Sequence, residues 1–433
     1  MRYRQIHNIW GLYAGPNNPT GYHYADYNGE RHNNPQLSIF DENLLKDIDR
    51  VSSFRYDISV DRENFTQLGT KGLIKRAIVN LPTINFDFNY YLVGVRNEDR
   101  LGFVVNYPNI TGQPILDQET SFFSNFTGWS TDCRNIFLGI APNDIDINKN
   151  IGDQFTNSIL HPSGIAVIGF GNCYVQSYAF NASVGAFPEA NVGYTCENVI
   201  VLASGSGAQI PAILPKSGHL VSGVKFTIPR YDSPATPSVI RPGDINLKIG
   251  SFNNSNFYET TEAIFGVNSS GLNIQSFNIR ANLDREALKS IGYYGVIDRR
   301  LNHPILVDID ITTIIDNHRS GNLAHFLHRN ESYDLLINMY NPSCTSREVA
   351  LQYKIRNAKF TNVNYSHEVY NKLIGNFKFS AEIEIGNRYK DMYVSGILNE
   401  TIPEFPYNYL RLEANKTGFL YTEEGNLLIV GEN

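Results

Sequence analysis

Apolar and polar positions alternate through Phe54, Tyr56, Ile58 and Val60, with Arg55, Asp57 and Ser59 between them. The alternation returns in the same phase at Phe277, Ile279, Ala281 and Leu283, around Asn278, Arg280 and Asn282. A period of two predicts strands with one buried face. The spacing is constant: Ser53 and Ser276, like Gly69 and Gly292, lie 223 residues apart. Residues 51–88 superpose on 274–311 without a gap, and Ile84, Phe86 and Phe88 fall on Val307, Ile309 and Ile311 as a second alternating strand. We read this as an ancient duplication in which the buried face fixes the register.

Between the two strands, Asp61-Arg62-Glu63 recurs as Asp284-Arg285-Glu286, followed by Phe65 and Leu68 or Leu288 and Ile291, then glycine. An Asp that accepts from free N–H groups and a Gly that tolerates positive φ predict a short helical turn. Retained in both copies, these six residues are candidates for helix capping and for a subunit contact.

Elsewhere the pattern predicts strands over 90–106 (broken at 96–100), 165–170, 173–184, 191–203, 351–361 and 377–385. Residues 418–430 read as a hairpin turning at 423–426. Short helices are expected at 41–50 and 152–160, and the longest at 322–340. A weaker echo sets 174–184 against 354–364. Residues 1–36 are Asn-, Pro-, Gly- and Tyr-rich, an arm either disordered or extended over a neighbouring surface. Linkers are predicted at 204–207 and 229–243 from their Gly, Ser and Pro. The fold class expected is mainly β: two tandem β-sandwich domains with short helices and long loops. The divisions are an arm at 1–40, a first domain at 41–225 and a second at 226–433.

Composition agrees with that class. The 433 residues are 42% apolar, 12% aromatic and 18% charged, a mixture that favours strands. A net charge of −7 argues against gripping nucleic acid through its phosphates. Cys133, Cys173, Cys196 and Cys344 form no CxxC pair and are expected reduced and buried. No apolar run is long enough to span a bilayer, and the first residues lack a signal-peptide core, so a soluble protein without membrane partners is predicted. Asn-x-Ser/Thr sequons such as those at Asn64, Asn125 and Asn399 read as chance.

The search for chemistry is mostly negative. His318, His325 and His328 with Glu331 and Asp334 could ligate a metal, but an amphipathic helix explains them as well. Gly169-Phe-Gly171 follows an apolar strand yet leads into another strand, where a phosphate site needs a helix N-terminus. Asp144 and Asp146 lack the glycine and closing Glu of a calcium loop. Asp308 and Asp310 suggest a carboxylate pair, but their counterparts are Asn85 and Asp87, so a strand's solvent side is the simpler reading. No catalytic residue, metal or cofactor is expected.

The strands SFRYDISVDRE and SFNIRANLDRE, each reaching LG or IG and returning near LPTINFDF or HPILVDIDI, resemble the tail tube (major tail protein) family of long-tailed bacteriophages. The segment VQSYAFNASVGAFPEANVGY is similar to a strand pair of such proteins. The resemblance implies β-sandwich domains joined edge to edge into stacked rings around a DNA-conducting lumen, with no catalysis. Two such domains per chain imply a trimeric, pseudo-hexameric ring. Other tail proteins would be partners, DNA would pass without specific binding, and the protein would reside in the virion tail after assembly in the host cytoplasm. The arm and the loop-rich stretch 109–151, not needed for a plain tube, would either make ring-to-ring contacts or mark the alternative of a neck or baseplate hub ring. Two rivals stand beside it: a carbohydrate- or receptor-binding β-sandwich, suited by the wealth of Tyr, Phe and Asn, and a hydrolase using acidic residues.

Overall fold

The structure, a computed structural model, describes residues 7–16, 45–66, 68–69, 72–78, 82–106, 120–126, 133–142, 166–202, 208–221, 225–226, 240–251, 272–315, 332–341, 349–366, 374–396, 420–421 and 427–428. The fold is mainly β, as expected. The first half contains β1 (His7–Pro16), β2 (Lys46–Ile48), β3 (Val51–Ser59), β4 (Arg62–Phe65), β5 (Lys75–Ile78) and β6 (Thr83–Tyr91). Helix α1 (Arg96–Leu101) leads to β7 (Arg134–Pro142), β8 (Ala166–Ser183), β9 (Glu189–Cys196), β10 (Asn198–Leu202), β11 (Ala208–Gln209) and β12 (Lys225–Phe226). The second half contains β13 (Ile245–Ser251), β14 (Leu272–Asn282), β15 (Arg285–Leu288), β16 (Asp298–Leu301) and β17 (Ile305–Ile315). It closes with β18 (Ser332–Tyr340), β19 (Val349–Ser366), β20 (Ile374–Ile383) and β21 (Met392–Gly396). Residues 1–399 form one compact unit. Residues 400–433 form a second, in which β22 (Leu420–Tyr421) pairs with β23 (Leu427–Leu428), the hairpin expected there.

Eight strands make a continuous antiparallel ladder in the order β3-β6-β9-β8-β14-β17-β20-β19. The long strands β8 and β19 each serve two layers. The first part of β8 pairs with β7 and β10, and its last part joins the ladder. Likewise β19 begins against β18 and β21 and ends against β20. The layers face each other across aromatic contacts: Phe170 on the first part of β8 lies 4.8 Å from Phe86 of β6. Tyr353 on the first part of β19 stacks on Phe180 at 3.8 Å. A large apolar core runs through both halves, and a smaller cluster of Tyr13, Leu45, Phe137, Val167, Ile210 and Ala212 lies apart from it. Gly171 is required where layers meet, since a Cβ there would stand 2.3 Å from the Pro211 carbonyl oxygen.

The pairing repeats in register. Phe54↔Phe88 and Phe277↔Ile311 are both displaced by 223, as are Arg62↔Ile78 and Arg285↔Leu301. The β-bulges at Val51/Ser53 and Ile274/Ser276 obey the same shift. Further along the chain the displacement is 185: Tyr178↔Val192 becomes Val363↔Phe377, and the bulge at Val175/Ser177 becomes Phe360/Asn362. Asn172 (φ 52) and Asn357 (φ 59), also 185 apart, both take the left-handed conformation. The echo of 174–184 is thus real, but Tyr174 answers to Lys359 rather than Lys354.

Several expected elements differ. Arg62–Phe65 and Arg285–Leu288 are strands, not helical turns, because each hairpin supplies its own backbone partners. The expected helix at 41–50 contains β2, which hydrogen-bonds β1. Within the expected helix at 322–340, residues 332–340 are β18, whose Leu335, Ile337 and Met339 are buried between neighbours β13 and β19. The strand pair expected over 90–106 does not form: β6 ends at Tyr91, and the expected break at 96–100 is α1, ended by Gly102 in the left-handed region. The arm contributes β1, with Leu12, Tyr13 and Ala14 buried against β7 and β2. Residues 152–160, the linkers at 204–207 and 229–239, and Asp144 and Asp146 lie outside the described residues, as do His318, His325, His328 and Glu331.

Candidate functional site

The strongest candidate is the seam where the two halves of the ladder meet. Strand β14 runs antiparallel to the end of β8, with Asn278 opposite Asn181, Ile279 opposite Phe180, Arg280 opposite Ala179 and Asn282 opposite Ser177. The Leu283 N–H donates to the Gln176 carbonyl at 2.8 Å, and the Val184 N–H to the Gln275 carbonyl at 2.8 Å. Because pairing direction alternates along a strand, Ile279 and Ala281 also direct their backbone groups into this seam.

Two cations secure it. The half-buried Arg285 donates from Nε to the Val175 carbonyl (3.0 Å) and from Nη1 to the Arg299 carbonyl (3.0 Å). Its guanidinium also lies over the Tyr174 ring, 5.5 Å from the centroid. Arg299 forms an ion pair with the buried Glu197 (Nε–Oε1 3.5 Å). Burial raises the Glu197 carboxyl to about 7 against the opposing pull of Arg299. The hairpin β15–β16 therefore folds over the seam and fastens β14 to the strand end behind it.

The two outer edges of the ladder lack such cover among the described residues. Strand β3 pairs only with β6, and Asn362–Ser366 of β19 pairs only with β20. The apolar face that is buried in β14, at Phe277, Ile279 and Ala281, is open in β3, where Tyr56 and Ile58 are 43% and 49% exposed. The hairpin tips Leu68 and Ile291 are both fully exposed.

Of the six residues singled out from the sequence, only Arg285 is drawn into the seam. Arg62 stands exposed at the equivalent place on β4, and the side chains of Asp61, Glu63, Asp284 and Glu286 are exposed. Sequence reasoning missed Arg299 and Glu197. Arg299 falls on Arg76 in the 223-residue repeat, which was a readable signal; Glu197 needed the second displacement.

It missed Glu98 as well. This α1 carboxylate is fully buried, accepting at Oε1 from the Tyr90 hydroxyl (2.8 Å) and the Tyr178 hydroxyl (3.0 Å). Tyr178 in turn lies 2.7 Å, hydroxyl to hydroxyl, from Tyr353. Burial raises Glu98 to about 7 despite these donors. A raised carboxyl in a cleft is a proton-transfer candidate, but Glu98 sits in the core with phenylalanines 103 and 122 packed on Tyr178. The nearby cleft lined by Asp49, Arg50, Tyr91 and Asn97 has about 20 Å³, room for about one water.

Comparison with known proteins adds little to this geometry. No family model matches the chain, and no curated protein matches it. Among solved structures, a chain of the anti-feeding prophage (AFP) baseplate, determined by cryo-EM and 6-fold symmetrised, is similar over 39% of this chain and 99% of its own length. The identity is 12% and the TM-score 0.22.

Asp308 is exposed on the polar side of β17, and its neighbour Asp310 forms an ion pair with Lys378 (3.3 Å). Asp334 accepts from the Asn357 N–H at 3.1 Å. Among the described residues no group of His, Cys, Asp and Glu could hold a metal, and no helix is long and apolar enough to cross a membrane. Cys133, Cys173 and Cys196 are free and buried.

Proposed function

We propose that the chain is a structural component of a phage-type tail, in which copies join into rings around a DNA-conducting lumen and catalyse nothing. The observation that carries this reading is the eight-stranded ladder, built from two four-stranded repeats already joined edge to edge at β8–β14. A wall made by repeating one seam needs such a unit, and an exposed strand edge needs a partner. On this reading residues 51–88 and 274–311 descend from one duplicated unit. The ladder's polar side, with Asn85, Asp87, Asn278, Asp308 and Asp310, faces the lumen. Asp87, Asp308 and Asp310 stand opposite Arg55, Arg280 and Lys378 on that face, so its charges balance and offer DNA phosphates little net attraction, in keeping with the net charge of −7. The exposed tips Leu68 and Ile291 supply apolar contacts between stacked rings.

Mass measurement and electron microscopy of the purified chain test the reading. Rings of three 48.8 kDa chains are expected, with long stacked tubes for a tail tube and single rings for a neck or baseplate position. A monomer at every concentration, with no ring particles, overturns it. A monomer that instead binds glycans through exposed aromatic residues returns the carbohydrate-binding alternative.

A further inference from the structure

We infer that β3 of one copy pairs with the end of β19 of a second copy, in the register that joins β14 to β8 within a single chain. This inference rests on the ring reading and specifies its contact residue by residue. The internal seam is the template. Moving β14 back by 223 gives β3, and moving β8 forward by 185 gives β19. The pairs Ile279↔Phe180, Arg280↔Ala179, Ala281↔Tyr178 and Asn282↔Ser177 then become Tyr56↔Tyr365, Asp57↔Asn364, Ile58↔Val363 and Ser59↔Asn362.

Three features beyond the free edges support this register. First, direction: eight strands alternating antiparallel leave β3 and β19 opposed, so a second copy continues the alternation without a break. Second, both charges of the seam's ion pair recur at places where no described residue pairs with them. Arg299 answers to Arg76 and Glu197 answers to Glu382, and both counterparts are exposed. The opposite charges sit at the two far ends of the ladder, which brings them together only between copies. Third, Arg285 answers to the exposed Arg62, which in this register reaches the Phe360 carbonyl as Arg285 reaches that of Val175. One contact changes: Lys359 stands where Tyr174 lies under Arg285, so the intermolecular seam lacks that cation–π contact. The open apolar positions Tyr56 and Ile58 are covered by the same step.

The test combines a covalent and an electrostatic probe on the full chain. Asp57→Cys with Asn364→Cys joins a pair whose backbone groups point away from each other, where side chains approach closest. Copper–phenanthroline oxidation followed by non-reducing electrophoresis is expected to give covalent multimers at about tenfold the yield of either single substitution or of the slipped pair Asp57→Cys with Asn362→Cys. Separately, Arg76→Glu and Glu382→Arg should each weaken association about tenfold, and their combination should restore it. Preferential cross-linking of the slipped pair, or charge reversals without rescue in a chain that still forms rings, overturns the register while leaving the ring reading standing. Cross-linked open chains without closed rings uphold the seam and sink the ring. A monomer that neither associates nor cross-links overturns both.

Discussion

Glu98 contributes to the pH response of the fold, beside other buried carboxyls such as Glu197 and Asp391. Burial dominates its surroundings and raises the carboxyl from 4.5 to about 7, while the Tyr90 and Tyr178 hydroxyls pull the other way. Between those values the folded chain holds a proton that the unfolded chain has released. Stability from this group is therefore complete below about pH 4.5, falls as pH rises, and levels off above about pH 7. The loss is about 3 kcal/mol for a shift of that size. Glu197, also raised to about 7, adds a slope of the same sign. Glu98→Gln keeps an acceptor for the tyrosines and removes the titration. Urea unfolding from pH 4.5 to 8 should give a flatter profile for the variant and, at pH 8, a gain of up to about 3 kcal/mol over the parent. Parallel profiles would show that Glu98 titrates normally. Nothing local in the sequence marks this residue, since its three tyrosine neighbours come from β6, β8 and β19, up to 255 positions away (Glu98 to Tyr353).

The long strands β8 and β19 are the elements that tie one layer to the other, and each changes layer at a left-handed asparagine. The two asparagines share a conformation but not a set of contacts. Asn172 also clamps another segment: its Nδ2 donates to the Ile213 carbonyl (3.2 Å), and its Oδ1 accepts from the Ile213 N–H (2.8 Å). At Asn357 it is the backbone N–H that is used, donating to Asp334. Glycine keeps the left-handed backbone and deletes the side chain, so it separates the two roles. Asn357→Gly should change stability by less than about 0.5 kcal/mol, and Asn172→Gly should cost about 2 kcal/mol through the buried groups it strands. Denaturant melts of both variants check this; equal losses would mean that backbone conformation alone matters. The sequence made the alternating strands β6, β17 and β20 legible because one face of each is buried. It misled at β2, β4 and β15, where three or four residues are too few for a period to separate strand from helix. It misled at β18 because Leu335, Leu336 and Ile337 form a continuous apolar run that fits either element.

At the scale of the whole molecule, only the first of three displacements could be read directly. The shift is 223 through β6 and β17, then 199 from β7 to β18 (Ile136 to Leu335), then 185 from β8 to β19. Longer connections in the first half erase the alignment, although the pairing beyond them is the same. The ladder has two different outer edges, β3 and β19, so the proposed seam makes association head-to-tail rather than two-fold symmetric. Blocking one end at a time tests that property. In the internal seam Ala281 and Tyr178 point their N–H groups at each other, so Ile58 and Val363 point theirs outward. Proline at either place removes an outward donor and leaves the bonds to β6 or β20 intact. Ile58→Pro alone and Val363→Pro alone should each be monomeric. Mixed in equal amounts, they should form a dimer and nothing larger, because the pair retains one intact seam, between β3 of the Val363→Pro chain and β19 of the Ile58→Pro chain. A two-fold symmetric interface gives a different result, since a variant blocked at the contact stays unpaired and an unblocked one pairs with itself. Sedimentation of the two variants, separately and mixed, distinguishes the cases.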